Sequence, residues 1–339
     1  MLSKRFILFT GFGLLLLMKV IRTDAQDVSF SQFYSNPLVM NPAFAGSIGT
    51  SRISLQYRNQ WHSLSNAFDT YSIAFDIPMK KLQGGLGFFM INDSQAAGAY
   101  NTLQVNGVYS VFIRLSDKFR FHGALQGGIS YSSINIDELI FADNVDINFG
   151  NHGISREIGL FSDTHSSFFD FSAGMLLYSQ RFFGGMAIHH LAEPYYSFLQ
   201  KDDNANRLKR KYTGHLGARL PVYLFGHRQK KFDFSPQLIV QSQNGMEQVN
   251  YGLFLSKWGL MAGSWFRQNL GLKYDAVTLL AGFMKNNWQL TYSYDIAVSG
   301  LWGNTGGTSE IAFVFLITKI NPRKNLPFYQ IHDDAFGIQ

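Results

Sequence analysis

The chain has 339 residues and a formal net charge of +6, with 16% aromatic residues (32 Phe and 16 Tyr), only 15% charged residues and no cysteine. The missing cysteines exclude disulfide scaffolds and thiolate chemistry, so a chain of this size must draw its stability from one large fold. The weak, scattered positive charge excludes a nucleic-acid footprint, and 15% charged residues is low for a soluble surface.

At the N-terminus Lys4 and Arg5 precede an apolar run over 6–18, and Thr23-Asp24-Ala25 sets small residues three and one positions before Gln26. That is the three-part layout of a secretory signal peptide, expected over residues 1–25. The apolar run is short for a helical membrane span, which needs roughly 20 residues, and no later segment reaches that length and hydrophobicity. Cleavage after Ala25 takes away four basic side chains (Lys4, Arg5, Lys19, Arg22) and one acidic one (Asp24), leaving +3 on 314 residues.

Residues 26–50 form a separate segment. Two Asn-Pro steps, Asn36-Pro37 and Asn41-Pro42, exclude a long regular element there. Phe30, Phe33, Tyr34, Leu38, Met40 and Phe44 make it too apolar for a free tail, so it is expected to be a periplasmic or lumen-packing segment, a short helical turn inside the barrel mouth that can serve as a plug.

From Arg52 onward the chain alternates. Ile53, Leu55 and Tyr57 oppose Arg52, Ser54, Gln56 and Arg58, and Tyr71, Ile73, Phe75 and Ile77 oppose Thr70, Ser72, Ala74 and Asp76. The clearest case comes last: Trp288, Leu290, Tyr292, Tyr294 and Ile296 face one way, and Gln289, Thr291, Ser293, Asp295 and Ala297 the other. A period of two marks strands with unlike faces. Fourteen such arms are predicted, at 51–60, 68–78, 83–92, 100–115, 119–132, 167–179, 182–191, 212–225, 231–241, 246–256, 258–267, 271–283, 287–298 and 308–318. Nothing else in the chain is left to cover their apolar faces, which makes lipid the expected cover. The fold class is therefore all-β: a transmembrane antiparallel β-barrel of about 14 strands over 51–318, behind an N-terminal signal peptide and before a periplasmic tail at 319–339. An even count sets both termini at one rim and lets the first strand pair with the last.

Two long loops interrupt the series. Residues 134–166 carry Asp137, Glu138, Asp143, Asp146, Asn148 and Asn151 at spacings that fit no defined calcium loop, so a solvated external loop is expected. The basic run at 201–211 is expected to be a solvated face as well, able to touch lipopolysaccharide phosphates.

Catalytic chemistry finds little support. His189 and His190 are adjacent, so in a strand their rings would point to opposite faces and could not share a metal. Asp295 and Ser299 share a face with Ser293, a superficial relay that polar lumen lining explains as well. No phosphate-cradling glycine loop, nucleophile elbow or two-histidine helical motif is present, and no cofactor or metal is expected. Arg52, Arg58, Asp76, Arg114, Asp295 and Glu310 are predicted on the inner face, where opposite charges can close a lumen. Asp295 and Glu310 are placed to meet Arg52 or Arg58 where the last strands close on the first.

Several stretches resemble one family. FSQFYSNPLVMNPAFAG at 30–46, with Asn36, Pro37, Asn41, Pro42 and Gly46, resembles the opening of the PorP/SprF outer-membrane proteins of Bacteroidetes. Tyr57, Arg58, Asn59, Gln60 and Trp61 look like its next signature, and HHLAEP at 189–194, with His190 and Pro194, is a further match. RKYTGHLGARLPV at 210–222, with Tyr212, looks like the family's basic-aromatic segment before a strand. YDIAVSGL at 294–301 (Tyr294, Asp295, Ser299) and GGTSEIAFVF at 306–315 (Glu310) resemble its terminal pattern, although Ser309 stands where His is common. The resemblance implies a non-enzymatic outer-membrane component of type IX secretion and gliding motility. The partners it implies are outer-membrane lipid and lipopolysaccharide, periplasmic ring or motor proteins, and a large secreted surface adhesin. The residues alone leave a porin-like or solute-specific channel as the alternative.

Overall fold

The computed structural model describes residues 27–64, 67–139, 145–146, 150–151, 158–159, 161, 163–198, 207–223, 230–299 and 306–317. The expected signal peptide and C-terminal tail lie outside the described residues.

The alternating arms become fourteen barrel strands. They are β1 (Arg52–Gln60), β2 (Phe68–Met79), β3 (Gly84–Gln95), β4 (Tyr100–Arg114), β5 (Arg120–Ile134), β6 (His165–Tyr178), β7 (Phe182–His189), β8 in two pieces (Lys211–Ala218 and Leu220–Tyr223), β9 (Lys230–Gln243), β10 (Met246–Lys257), β11 (Leu260–Gln268), β12 (Tyr274–Lys285), β13 (Trp288–Ala297) and β14 (Thr308–Leu316). Each pairs antiparallel with its sequence neighbour, and β14 pairs with β1 to close the barrel. Closure removes the two free edges that an open sheet would expose. Arg219 interrupts β8, so the predicted arm 212–225 is broken into two pieces.

The burial pattern is that of a soluble protein turned inside out. Phe169 is 71% exposed and Leu125 67%, whereas Arg52, Glu310 and Ser293 are at most 1% exposed. Exposed large apolar residues fill the outward positions of nearly every strand, and inward positions carry Ser, Thr, Gln and paired charges. Only a lipid surround makes such an outer face stable. The described helices are single turns, and none is long and apolar enough to cross a membrane.

The two rims differ. One, here the terminal rim, carries the start of β1, the end of β14 and short turns such as Trp258-Gly259 and 286–287. The other, the loop rim, carries the long connections between β5 and β6 and between β7 and β8. Of the first, a helical turn at Ile136–Glu138 and a two-residue ribbon pairing 145–146 with 150–151 are described. Asp143 and Asn148 lie outside the described residues, and no group of three or more metal-ligating side chains occurs among the described ones.

Arg114 departs from expectation. It has inward parity, but β4 runs past the packed part of the lumen there, so its side chain is 65% exposed and pairs with Asp117 in the next turn.

Candidate functional site

The lumen is occupied by the chain's own N-terminal segment, residues 27–50, called the strap below. Its apolar side chains go to zero or near-zero exposure: Leu38 0%, Ile48 0%, Phe44 1%. Burying one such side chain contributes about 1.5–3 kcal/mol. Phe33 meets Trp265 edge-on at 4.6 Å and Tyr34 meets Phe254 at 4.7 Å, so aromatic packing fastens the strap to β10 and β11.

The Asn-Pro steps shape it. Pro37 opens a four-residue helical turn, Pro37–Met40, with Asn36 before it, and Pro42 opens a 3-10 turn, Pro42–Phe44. Proline suits the first helical position, where its missing N–H is no loss. Asn36 Nδ2 donates to Ser72 Oγ at 2.8 Å. Asn41 Oδ1 caps the second turn by accepting from the Ala43 N–H at 2.9 Å, while its Nδ2 reaches the carbonyls of Met175 (3.0 Å) and Met186 (3.2 Å) on the wall. Gly46 has φ +68°, and a Cβ there would sit 2.7 Å from Gly85 Cα, so only glycine lets strap and β3 approach this closely.

Charges lock the strap at two levels. Near the terminal rim Arg52 and Asp76, direct register partners on β1 and β2, pair at 2.6 Å, and Asp76 Oδ2 also accepts from the Gly46 N–H at 2.9 Å. Higher up, Arg58 and Glu310 face each other across the closing pair β1–β14, with Nη1 to Oε2 at 3.0 Å. The Glu310 carboxylate accepts the Ser31 and Gln32 backbone N–H groups, both at 2.8 Å, and Gln56 Nε2 at 2.6 Å. Ser31 Oγ donates to Asp295 Oδ2 at 2.5 Å and accepts from Arg58 at 2.8 Å and Arg267 at 2.9 Å. Asp295 also takes Thr278 Oγ1 at 2.7 Å and Arg267 at 3.1 Å. Two arginines and two carboxylates thus neutralise one another around strap backbone, the only kind of arrangement in which such charges are stable when buried. Arg58 is the arginine that meets both acids; Arg52 pairs with Asp76 instead.

The strap then continues to the loop rim. Asp27 Oδ2 lies 2.8 Å from His190 Nε2 and 3.5 Å from Lys211 Nζ, and Asp170 Oδ2 lies 2.8 Å from His190 Nδ1. Both carboxylates only accept, so both ring nitrogens donate and His190 is an imidazolium. Burial opposes that charge, but Asp27 and the hydrogen bonds to Asp170 and Asp27 prevail and raise the His190 pKa to about 9. Burial alone would raise the Asp27 carboxyl, yet His190 and Lys211 hold it well below the usual carboxylate range.

The strap packs along the whole height of the lumen, and two other expectations are corrected. The rings of His189 and His190 do not point to opposite faces, because β7 ends at His189 and His190 turns inward at φ +56°. Both are buried, with His189 Nε2 donating to Met40 O at 3.2 Å. Lys211, from the basic run expected to be solvated, is also drawn inside toward Asp27.

The remaining predicted residues scatter. Tyr57 and Asn59 face outward and both donate to Asp69 Oδ1 at 2.7 Å. Tyr212 is half exposed on the outer face. Trp61 sits at φ +60° just past β1, its N–H on Gly307 O at 2.8 Å, and Tyr294 OH donates to Gly306 O at 2.6 Å. Pro194 O accepts the Leu208 N–H at 3.0 Å within the long loop. Gln60 accepts from Arg58 Nη2 at 3.2 Å and lines, with Ser299, a vestibule of about 1300 Å³ that opens at the loop rim above Asp27, Val28 and Ser29. Ser299 is lining there, not part of a relay with Asp295. Sequence reasoning missed Asp27, Ser31, Gln32, Asp170 and Arg267. Arg267 shares the inward parity of Trp265, and Asp170 that of Ser172, and both could have been found from it, whereas the strap's own Asp27, Ser31 and Gln32 carry no periodic signal.

With this geometry in place, the comparisons are decisive on one point. The family model described as "Type IX secretion system membrane protein PorP/SprF" matches residues 22–315. The chain belongs to that family. It is a type IX secretion system membrane protein whose strands form an outer-membrane barrel. No curated protein matches. Among solved structures, the Ralstonia pickettii toluene transporter TbuX is similar at 9% identity and TM-score 0.48, over 84% of this chain and 93% of that one. The Acinetobacter baumannii outer membrane protein Omp33 is similar at 7% identity and TM-score 0.41, over 79% and 97%. These likenesses are too weak to carry any argument about this PorP/SprF protein.

Proposed function

We propose that this PorP/SprF protein is a non-enzymatic, self-plugged barrel of the type IX secretion and gliding machinery. In this reading it binds periplasmic ring or motor proteins at the terminal rim and a large secreted surface adhesin at the loop rim. The observation that carries it is the strap: residues 27–50 fill the lumen and are held by Arg52–Asp76, by Arg58–Glu310 and by His190. A solute channel would need that path clear. Short turns with the start of β1 and the end of β14 at one rim and long loops at the other support a periplasmic terminal rim and an external loop rim. Lipopolysaccharide and phospholipid would contact the apolar outer band. The test is affinity capture from envelope extracts. Periplasmic ring components should co-purify with the intact chain and be lost on deleting residues 321–339 or 26–46. Their absence from captures with the intact chain would overturn the reading.

A further inference from the structure

The lipid-facing wall over the β14–β1 closure is graded along the strands. Strand register sets its outward side chains in rows. Leu290, Phe313, Leu55, Ile73 and Met90 are successive partners from β13 through β14, β1 and β2 to β3. Two residues nearer the loop rim stand Tyr292, Ile311, Tyr57, Tyr71 and Asn92. Two residues beyond those stand Tyr294, Ser309, Asn59, Asp69 and Ser94. The first row is apolar, the second is rich in tyrosine, and the third, beside the strand ends at Gln60 and Phe68, is polar. That succession follows a membrane from hydrocarbon through its aromatic belt to its headgroups. A groove of about 400 Å³ is sunk into the first two rows, a volume within the range of small-ligand sites.

Asp69 stands at the loop-rim end of this groove, about 13 Å along β2 from Ile73. Tyr57 OH and Asn59 Nδ2 both donate to its Oδ1 at 2.7 Å, which fixes the carboxylate and leaves Oδ2 without a donor among the described residues. Among the described residues, no lysine or arginine stands on the outward face of these five strands, so the wall gives Asp69 no counter-charge. An anionic headgroup would meet repulsion there, and a quaternary ammonium carries charge but no N–H. A primary ammonium brings both the positive charge and the donors that Oδ2 lacks. We propose that the groove is a binding site for a membrane lipid with a primary ammonium headgroup, its acyl chain between Leu55, Ile73 and Ile311 and its headgroup on Asp69. The bound lipid lies across the barrel closure. The site does not depend on the secretion reading or on which rim faces outward.

The test uses the full chain in nanodiscs of phosphatidylethanolamine, phosphatidylcholine and phosphatidylglycerol in equal amounts with matched acyl chains. Native mass spectrometry after release counts the lipids that stay bound. The wild type should retain phosphatidylethanolamine about tenfold over either other lipid, and Asp69→Asn should erase that preference. Ile73→Trp, on the outer face where Ile73 is 40% exposed, fills the groove and should lower retention of every lipid. Heat-modifiable electrophoretic mobility confirms that both variants are folded. No retained lipid on the wild type, equal retention of the three, or a preference for phosphatidylglycerol would each overturn the proposal. So would a preference that survives Asp69→Asn, or retention indifferent to Ile73→Trp.

Discussion

Replacing Glu310 by Gln isolates the strap's central lock. Four donors converge on this carboxylate: the N–H groups of Ser31 and Gln32, Gln56 Nε2 and Arg58 Nη1, at 2.6–3.0 Å. A glutamine of the same shape keeps one accepting oxygen and turns an NH₂ group toward donors, while Arg58 loses its closest counter-charge. Removing one member of a buried ion pair costs about 3–5 kcal/mol. Asp295, 3.6 Å from the same Arg58 nitrogen, still faces it and places the cost near the lower end, about 3 kcal/mol. That is on the order of a hundredfold shift in the local opening of the strap. Amide hydrogen exchange in nanodiscs reads it directly. Ser31 and Gln32 should exchange about a hundredfold faster in Glu310→Gln, with the amides of β5 and β6 unchanged. Unchanged exchange at Ser31 and Gln32 would refute the lock. Equal acceleration throughout the barrel would refute the claim that it acts locally on the strap.

Further outcomes follow from the same contacts. Gly46→Ala places a Cβ against Gly85 Cα at positive φ and should cost about 1–3 kcal/mol, read as a lower thermal midpoint for loss of the folded electrophoretic band. Arg52→Met leaves Asp76 buried without its arginine and should destabilise by about 3–5 kcal/mol in the same assay, whereas a change within 0.5 kcal/mol would show that the pair is replaceable. The His190 pKa is raised in the fold, so its contribution is fully present below the unfolded value of about 6.5 and is lost as pH rises through about 9. Exchange at Val28 and Ser29, corrected for intrinsic rates, should therefore rise between pH 8 and 10 in the wild type and show no such step in His190→Gln.

The barrel was legible because strand alternation is a local, repeated signal. Fourteen arms were readable from sites such as Tyr71–Ile77 and Trp288–Ile296, and most boundaries fell within a few residues. Arg114 failed because parity says which way a side chain points but not where a strand outruns its barrel. His190 failed for a related reason: one left-handed residue after a strand reverses the facing that alternation assigns. The strap's tight packing followed from Phe30, Leu38 and Phe44, but its route did not. Its partners on β1, β6, β7 and β14 lie more than a hundred residues away in most cases, and no period in the sequence links them. The Arg58–Glu310 contact was within reach because closure of an even-numbered barrel sets the first strand beside the last.

Single-channel conductance of the purified protein in planar bilayers tests most directly whether the strap closes the lumen. The intact chain should show no steady open level, and deletion of residues 27–46 should produce a stable, ohmic pore. A steady open pore from the intact chain would contradict the account.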